Sequence, residues 1–147
     1  MRPPLKPPIA YLLAYAATLA ARHAEEELRP HDLTVRQFGL LMQLRLEPAL
    51  TMSELARQLG VTRQSLHEMT AELERTGHLR RLPGMTGRTR RLELTPRTER
   101  AILYAQATLL ESEPDFLSGL APHEIETLRD LLRRALAGAT DDESWLP

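Results

Sequence analysis

The chain has 147 residues, the length of one domain, and is 42% hydrophobic but only 4% aromatic, so its core is built from leucine and alanine. Aromatic residues and, threonine apart, β-branched ones are scarce, which points to helices. Cysteine is absent, which excludes disulfides, thiolate metal sites, thiol redox switching and a cysteine nucleophile, while a formal net charge of -1 by itself signals neither nucleic acid nor a membrane surface.

No stretch approaches the roughly 18 uninterrupted apolar residues of a membrane span. The run from Ile9 to Ala21 follows Arg2 and Lys6 and imitates a signal peptide. However, Pro3, Pro4, Pro7 and Pro8 crowd its front, and it passes straight into the charged segment Arg22 to Glu27. The expectation is a buried first helix in a cytoplasmic protein without a membrane partner.

The hydrophobic period is helical nearly throughout. The first helix runs from about Pro8 to about Leu28, where Pro30 stops it. The second starts at Thr34, because Thr34-Val35-Arg36-Gln37 has the form of a capping box. Its inward residues are Phe38, Leu41, Met42 and Leu44 or Leu46, and Pro48 ends it. A third helix opens on a second capping box, Thr51 to Glu54, buries Leu55, Ala56 and Leu59, and closes at Gly60. The fourth takes Thr62 as its cap, turns Leu66, Met69, Thr70 and Leu73 inward, and ends at Gly77. Two helices separated by the tight Gly60-Val61 turn have the spacing of a helix-turn-helix.

The period then changes. Leu79 to Pro83 is short and extended, Gly84 to Gly87 supplies turn residues, and Arg90 to Thr95 alternates with Leu92 and Leu94 on one face, which together predict a β-hairpin. Thr95-Pro96 restarts a helix with Thr as cap and Pro at its first position. This fifth helix turns Ile102, Leu103, Leu109 and Leu110 inward and extends to about Phe116. A sixth begins near Pro122 with Ile125, Leu128, Leu131, Leu132 and Leu136 inward, and the tail 141–147 is expected to fray.

Charge is distributed unevenly. Between residues 75 and 100 eight arginines face only Glu93 and Glu99, whereas beyond residue 100 the acids outnumber the arginines. A basic hairpin beside a helix-turn-helix is the electrostatic footprint of a double-stranded DNA binder. Enzymatic signatures are missing, with no nucleophile elbow, phosphate loop or His-Glu-x-x-His. His23, Glu26, Glu27 and His31 fall near one another, but Pro30 interrupts the helix before His31, so neither a metal nor another cofactor is expected.

Leu33 to Phe38, Thr51 to Thr62, Leu73 to Leu79, Arg88 and Leu92 to Thr95, in this order and spacing, resemble the MarR family of winged helix-turn-helix transcription regulators. The resemblance spans nearly the whole chain. It implies a mostly α single domain of six helices with a β-hairpin wing, assembled as an interlocked homodimer. Segments 1–31 and 99–140 would be dimerisation helices and 32–98 the DNA-binding lobe. It implies that the helix from Thr62 to Thr76 enters the major groove, with Thr62, Arg63, Gln64, Ser65 and His67 as contacts. There Arg63 suits guanine or phosphate and Gln64 suits adenine, while Thr62 and Ser65 serve either phosphate or the helix cap.

The resemblance also makes the hairpin a wing. Arg88, seven residues before Thr95, would enter the minor groove, and Arg90 and Arg91 would hold phosphates. The family usually carries an acidic residue two positions before this arginine, and here that position is Thr86. Thr98 stands where the family often has glycine and reads as a neutral substitution. Family members often sense a small anionic or phenolic effector in a crevice below the dimer helices, for which Tyr11, Tyr15, Arg22, His23, His31 and Arg36 are the candidates here. The expected function is a repressor that binds a pseudo-palindromic operator and is released by such an effector. The rival from another class is a winged-helix interaction module with little specific DNA binding, suggested by Glu68, Glu72 and Glu74 on the fourth helix. A third possibility is a DNA binder that senses nothing, its crevice filled by side chains.

Overall fold

A computed structural model describes residues 1–48, 50–82 and 91–139. The elements follow in the order α1 (Ile9–Leu28), a 3-10 turn (Arg29–His31), α2 (Val35–Leu46), α3 (Met52–Leu59), α4 (Arg63–Arg75), β1 (Leu79–Leu82), β2 (Arg91–Leu94), α5 (Pro96–Phe116) and α6 (Pro122–Ala139). This is the expected architecture of six helices and one hairpin.

Local chemistry sets most boundaries. Thr34 and Thr51 each accept from the backbone N–H three residues on, and Gln37 and Glu54 each accept from the N–H of their cap residue, so both capping boxes are complete. Each such cap satisfies helix-end donors that would otherwise lack partners and stabilises the helix by about 1 kcal/mol. Gly60 ends α3 at φ 67, the left-handed region where a Cβ is unfavourable, and this turn sets the angle between α3 and α4. As expected, α1 ends at Leu28, just before Pro30, which sits early in the following 3-10 turn, where a missing donor costs nothing. Thr95 occupies the cap position of α5 without capping it. Its hydroxyl donates instead to the Gly77 carbonyl at 2.9 Å, and Thr98 donates to the Thr95 hydroxyl at 3.0 Å. Thr98 is fully buried, so its reading as neutral is corrected: it belongs to the latch joining the end of α4 to the start of α5.

The hairpin is antiparallel, with Leu79 opposite Leu94 and Arg81 opposite Leu92. Leu79, Leu92 and Leu94 point inward and join a core made with Leu40, Leu41, Leu44, Leu55, Leu66 and Leu73 from α2, α3 and α4. Leu28, Ile102 and Ala105 connect this core to α1 and α5. Each fully buried leucine contributes about 1.5–3 kcal/mol of transfer free energy, so this cluster stabilises the lobe.

Two expectations about burial are corrected. Along α1 only Leu28 is buried, while Ile9, Tyr11, Leu12, Leu13 and Tyr15 are exposed. Leu46, Leu103, Leu110, Leu131, Leu132 and Leu136 are also exposed, leaving Ile125 as the one buried residue of α6. The apolar period of these helices is real, but much of it faces away from this chain's own core.

Candidate nucleic-acid interface

The site is built outward from α4. Leu66, Thr70 and Leu73 anchor it on the core, and Thr62 caps it, its hydroxyl accepting from the Ser65 N–H at 3.0 Å. Thr62 is thus already engaged as a cap, and Ser65 is half-buried. Arg63, Gln64, His67 and Glu68 are exposed, and no hydrogen bond or ion pair holds their side chains among the described residues. At about 100° per residue, Gln64, Glu68, Ala71 and Arg75 form the ridge opposite Leu66, while Arg63 and His67 flank it. A helix whose ridge is free from Gln64 to Ala71 and whose N-terminal turn is exposed is shaped for the major groove.

The acids near this face are mostly neutralised. Glu72 takes both Arg75 Nε and Nη2, which lowers its carboxyl below the ordinary range and raises the guanidinium. Glu74 accepts from Arg81 Nε on β1 at 2.7 Å, and Glu93 accepts from Arg80 across the hairpin at 3.0 Å. The interaction-module rival therefore loses two of its three carboxylates, and Glu68 alone remains open. Of these pairs, Glu74 with Arg81 ties the base of the hairpin to the end of α4. Arg97 on α5 adds a second tie to the end of α4 by donating to the Thr76 carbonyl at 2.8 Å, and the Thr76 hydroxyl lies 2.7 Å from His78 Nδ1. Burial, followed by the charge of Arg97, pushes the His78 imidazole below its ordinary value. Arg91 lies in β2 opposite Leu82, whereas Arg88 and Arg90, along with Thr86, lie outside the described residues.

Comparison with known proteins decides the family. The MarR family model matches residues 31–89, from the end of the 3-10 turn to beyond β1. A protein of Bacillus cereus named as an uncharacterized HTH-type transcriptional regulator is 31% identical over 69% of this chain and 67% of its own length. The chain belongs to the MarR family. Escherichia coli MarR in its apo form superposes with a TM-score of 0.80 at 25% identity, covering 90% of this chain and 99% of that one. A MarR family protein of Mycobacterium tuberculosis in complex with salicylic acid gives 0.75 at 26% identity, covering 88% and 97%. Relatives and fold are those of DNA-binding transcription regulators rather than enzymes, and no described helix is long and apolar enough to cross a membrane.

In this MarR-family chain the six effector candidates are not gathered in one place. Tyr11 and Tyr15 stack on each other, ring centres 6.4 Å apart, on the exposed first half of α1. At 1.5 Å per residue, Tyr15 lies about 20 Å along the helix from Leu28. His23 and His31 belong to the other end. His23 Nε2 is 2.8 Å from Ser112 Oγ and its ring stacks on Phe116, while His31 Nε2 is 3.0 Å from Thr108 Oγ1. Both histidines thus fasten the first helical segment to α5. Arg22 and Arg36 are exposed. Sequence reading missed Ser112, Thr108 and Phe116, because nothing local marks a partner in a distant helix.

Proposed function

We propose that this regulator is a homodimeric repressor, acting in the cytoplasm on a pseudo-palindromic operator in double-stranded DNA, with half-sites about one helical turn (roughly 10 bp) apart. Segments 1–31 and 99–140 form the dimer and 32–98 binds DNA. The observation that carries this reading is the open ridge of α4 beside a hairpin whose base is clamped to it. Arg63, Gln64 and His67 face the bases and the phosphates beside them, Thr62 and Ser65 hold the helix end against the backbone, and Arg88 enters the minor groove with Arg90 and Arg91 on phosphates. Phosphate contacts supply most of the affinity and make it salt-dependent. The exposed leucines of α1 and α6 support the dimer, since an apolar stripe of that extent is normally covered by a partner surface.

A small anionic or phenolic effector releases the operator by favouring a dimer whose recognition helices are mis-spaced, which requires unequal affinity for the free and bound states. The salicylic acid complex of the mycobacterial relative supports this class of ligand.

The test is fluorescence anisotropy on the DNA upstream of the protein's own gene, beside a scrambled duplex, at several salt concentrations. Tight binding to the first duplex alone is expected, and Arg88→Ala should weaken it about tenfold and reduce the salt slope by about 1. Equal weak binding to both, followed by an empty selection from random DNA, overturns the reading.

A further inference from the structure

We infer that Glu68 is a specificity-determining residue that reads a cytosine amino group in each operator half-site; this rests on the DNA-binding reading above. Three observations lead to it. Glu68 stands at the outward pole of α4, one turn beyond Gln64 and about 200° from the buried Leu66, so it meets whatever the ridge meets. It is exposed and has no partner among the described residues. Every other carboxylate of α3, α4 and the hairpin is engaged: Glu54 in the capping box, Glu72 by Arg75, Glu74 by Arg81 and Glu93 by Arg80.

Arg63 has no partner among the described residues but lies about 140° around the helix from Glu68, on another face. Arg75, on the same ridge, is occupied. A bare carboxylate at the floor of a groove lined by phosphates is unfavourable unless a base edge donates to it. In the major groove cytosine N4 and adenine N6 are the donors, and adenine sets the N7 acceptor beside its amino group, where a carboxylate is repelled. Cytosine has no such acceptor on its own ring edge. Thymine presents O4, which repels the carboxylate directly. The charge that weakens non-specific binding is thus what makes one base pair stand out.

The experiment is selection of sites from random duplex DNA with the full-length wild type, Glu68→Ala and Glu68→Gln, followed by affinities on single-base variants of the selected site. Wild type should prefer cytosine to thymine at one symmetric position by about tenfold, within the range of a single good base contact. Glu68→Ala should lose that preference while binding all sequences more tightly, and Glu68→Gln should move it toward adenine, which its amide can pair on two atoms. An unchanged selected sequence in Glu68→Ala, with affinity raised uniformly, shows that Glu68 only repels phosphate and overturns this inference alone. An empty selection with the wild type overturns both this inference and the regulator reading.

Discussion

Glu74 on α4 and Arg81 on β1 are joined across 2.7 Å, and each side chain keeps less than a third of its surface in water. Partial burial and a direct N–H···O contact lift this pair above an ordinary surface ion pair, to about 1 kcal/mol of coupling. The bond ties α4 to the first strand of the hairpin. Glu74→Ala removes a negative charge near DNA, so charge alone predicts tighter operator binding. The geometry predicts the opposite, a loss of about fivefold, the equivalent of about 1 kcal/mol. A double-mutant cycle with Arg81→Ala, read by denaturant unfolding and by operator affinity, separates the two.

His78 sits at the joint between α4 and β1, its imidazole pushed down by burial and then by Arg97. A folded-state value below the unfolded 6.5 means the unfolded chain binds the proton more readily. Stability from this site is complete above about pH 6.5 and is lost as pH falls below it, with a slope no steeper than about 1.4 kcal/mol per pH unit for one proton. Thermal unfolding between pH 7.5 and 5 should show a decline that His78→Asn reduces. An equal decline in the variant assigns the pH dependence to other groups.

His23 combines a hydrogen bond to Ser112 with stacking on Phe116 at a ring separation of 4.6 Å. If this contact fastens α1 to α5, His23→Ala destabilises the protein by about 1–2 kcal/mol, the sum of one net hydrogen bond and one ring contact. Salicylate is a suitable probe of the proposed effector class. Were His23 a ligand contact instead, the variant would lose salicylate affinity by calorimetry while keeping its unfolding midpoint. Unfolding and calorimetry on the same sample distinguish these roles.

What the sequence discloses follows the range of each interaction. Thr34 with Gln37, Thr51 with Glu54, and the left-handed Gly60 act within four residues, so the helix ends and the helix-turn-helix are legible. Gln64 and His67 are legible as candidates because the period of Leu66, Thr70 and Leu73 fixes the opposite face. The contact between His23 and Ser112 spans 89 positions, and the Thr95-Thr98-Gly77 latch joins two elements, so no local pattern announces either. Periodicity also marks Leu131, Leu132 and Leu136 as one apolar face without saying which chain covers it.

That face yields the most decisive prediction about assembly. Leu128, Leu132 and Leu136 line a groove between α5 and α6, whose far side is held by the Glu113 carboxylate on Arg129. Glu126 also accepts from Arg129, and both carboxylates raise the guanidinium, while Leu132 and Leu136 stay exposed and Leu128 is half-buried. Leu136 is 48% exposed in the single chain, so Leu136→Arg costs the fold of one protomer little. If a second copy covers this face, the new charge is buried unpaired at the interface, which is strongly unfavourable. Sedimentation should then show a monomer where the wild type is a dimer. Operator affinity should fall by about 100-fold or more, because each half-site is bound without the effective concentration the second supplies. A variant that remains dimeric, with operator binding intact, places the interface elsewhere and leaves these leucines for another partner.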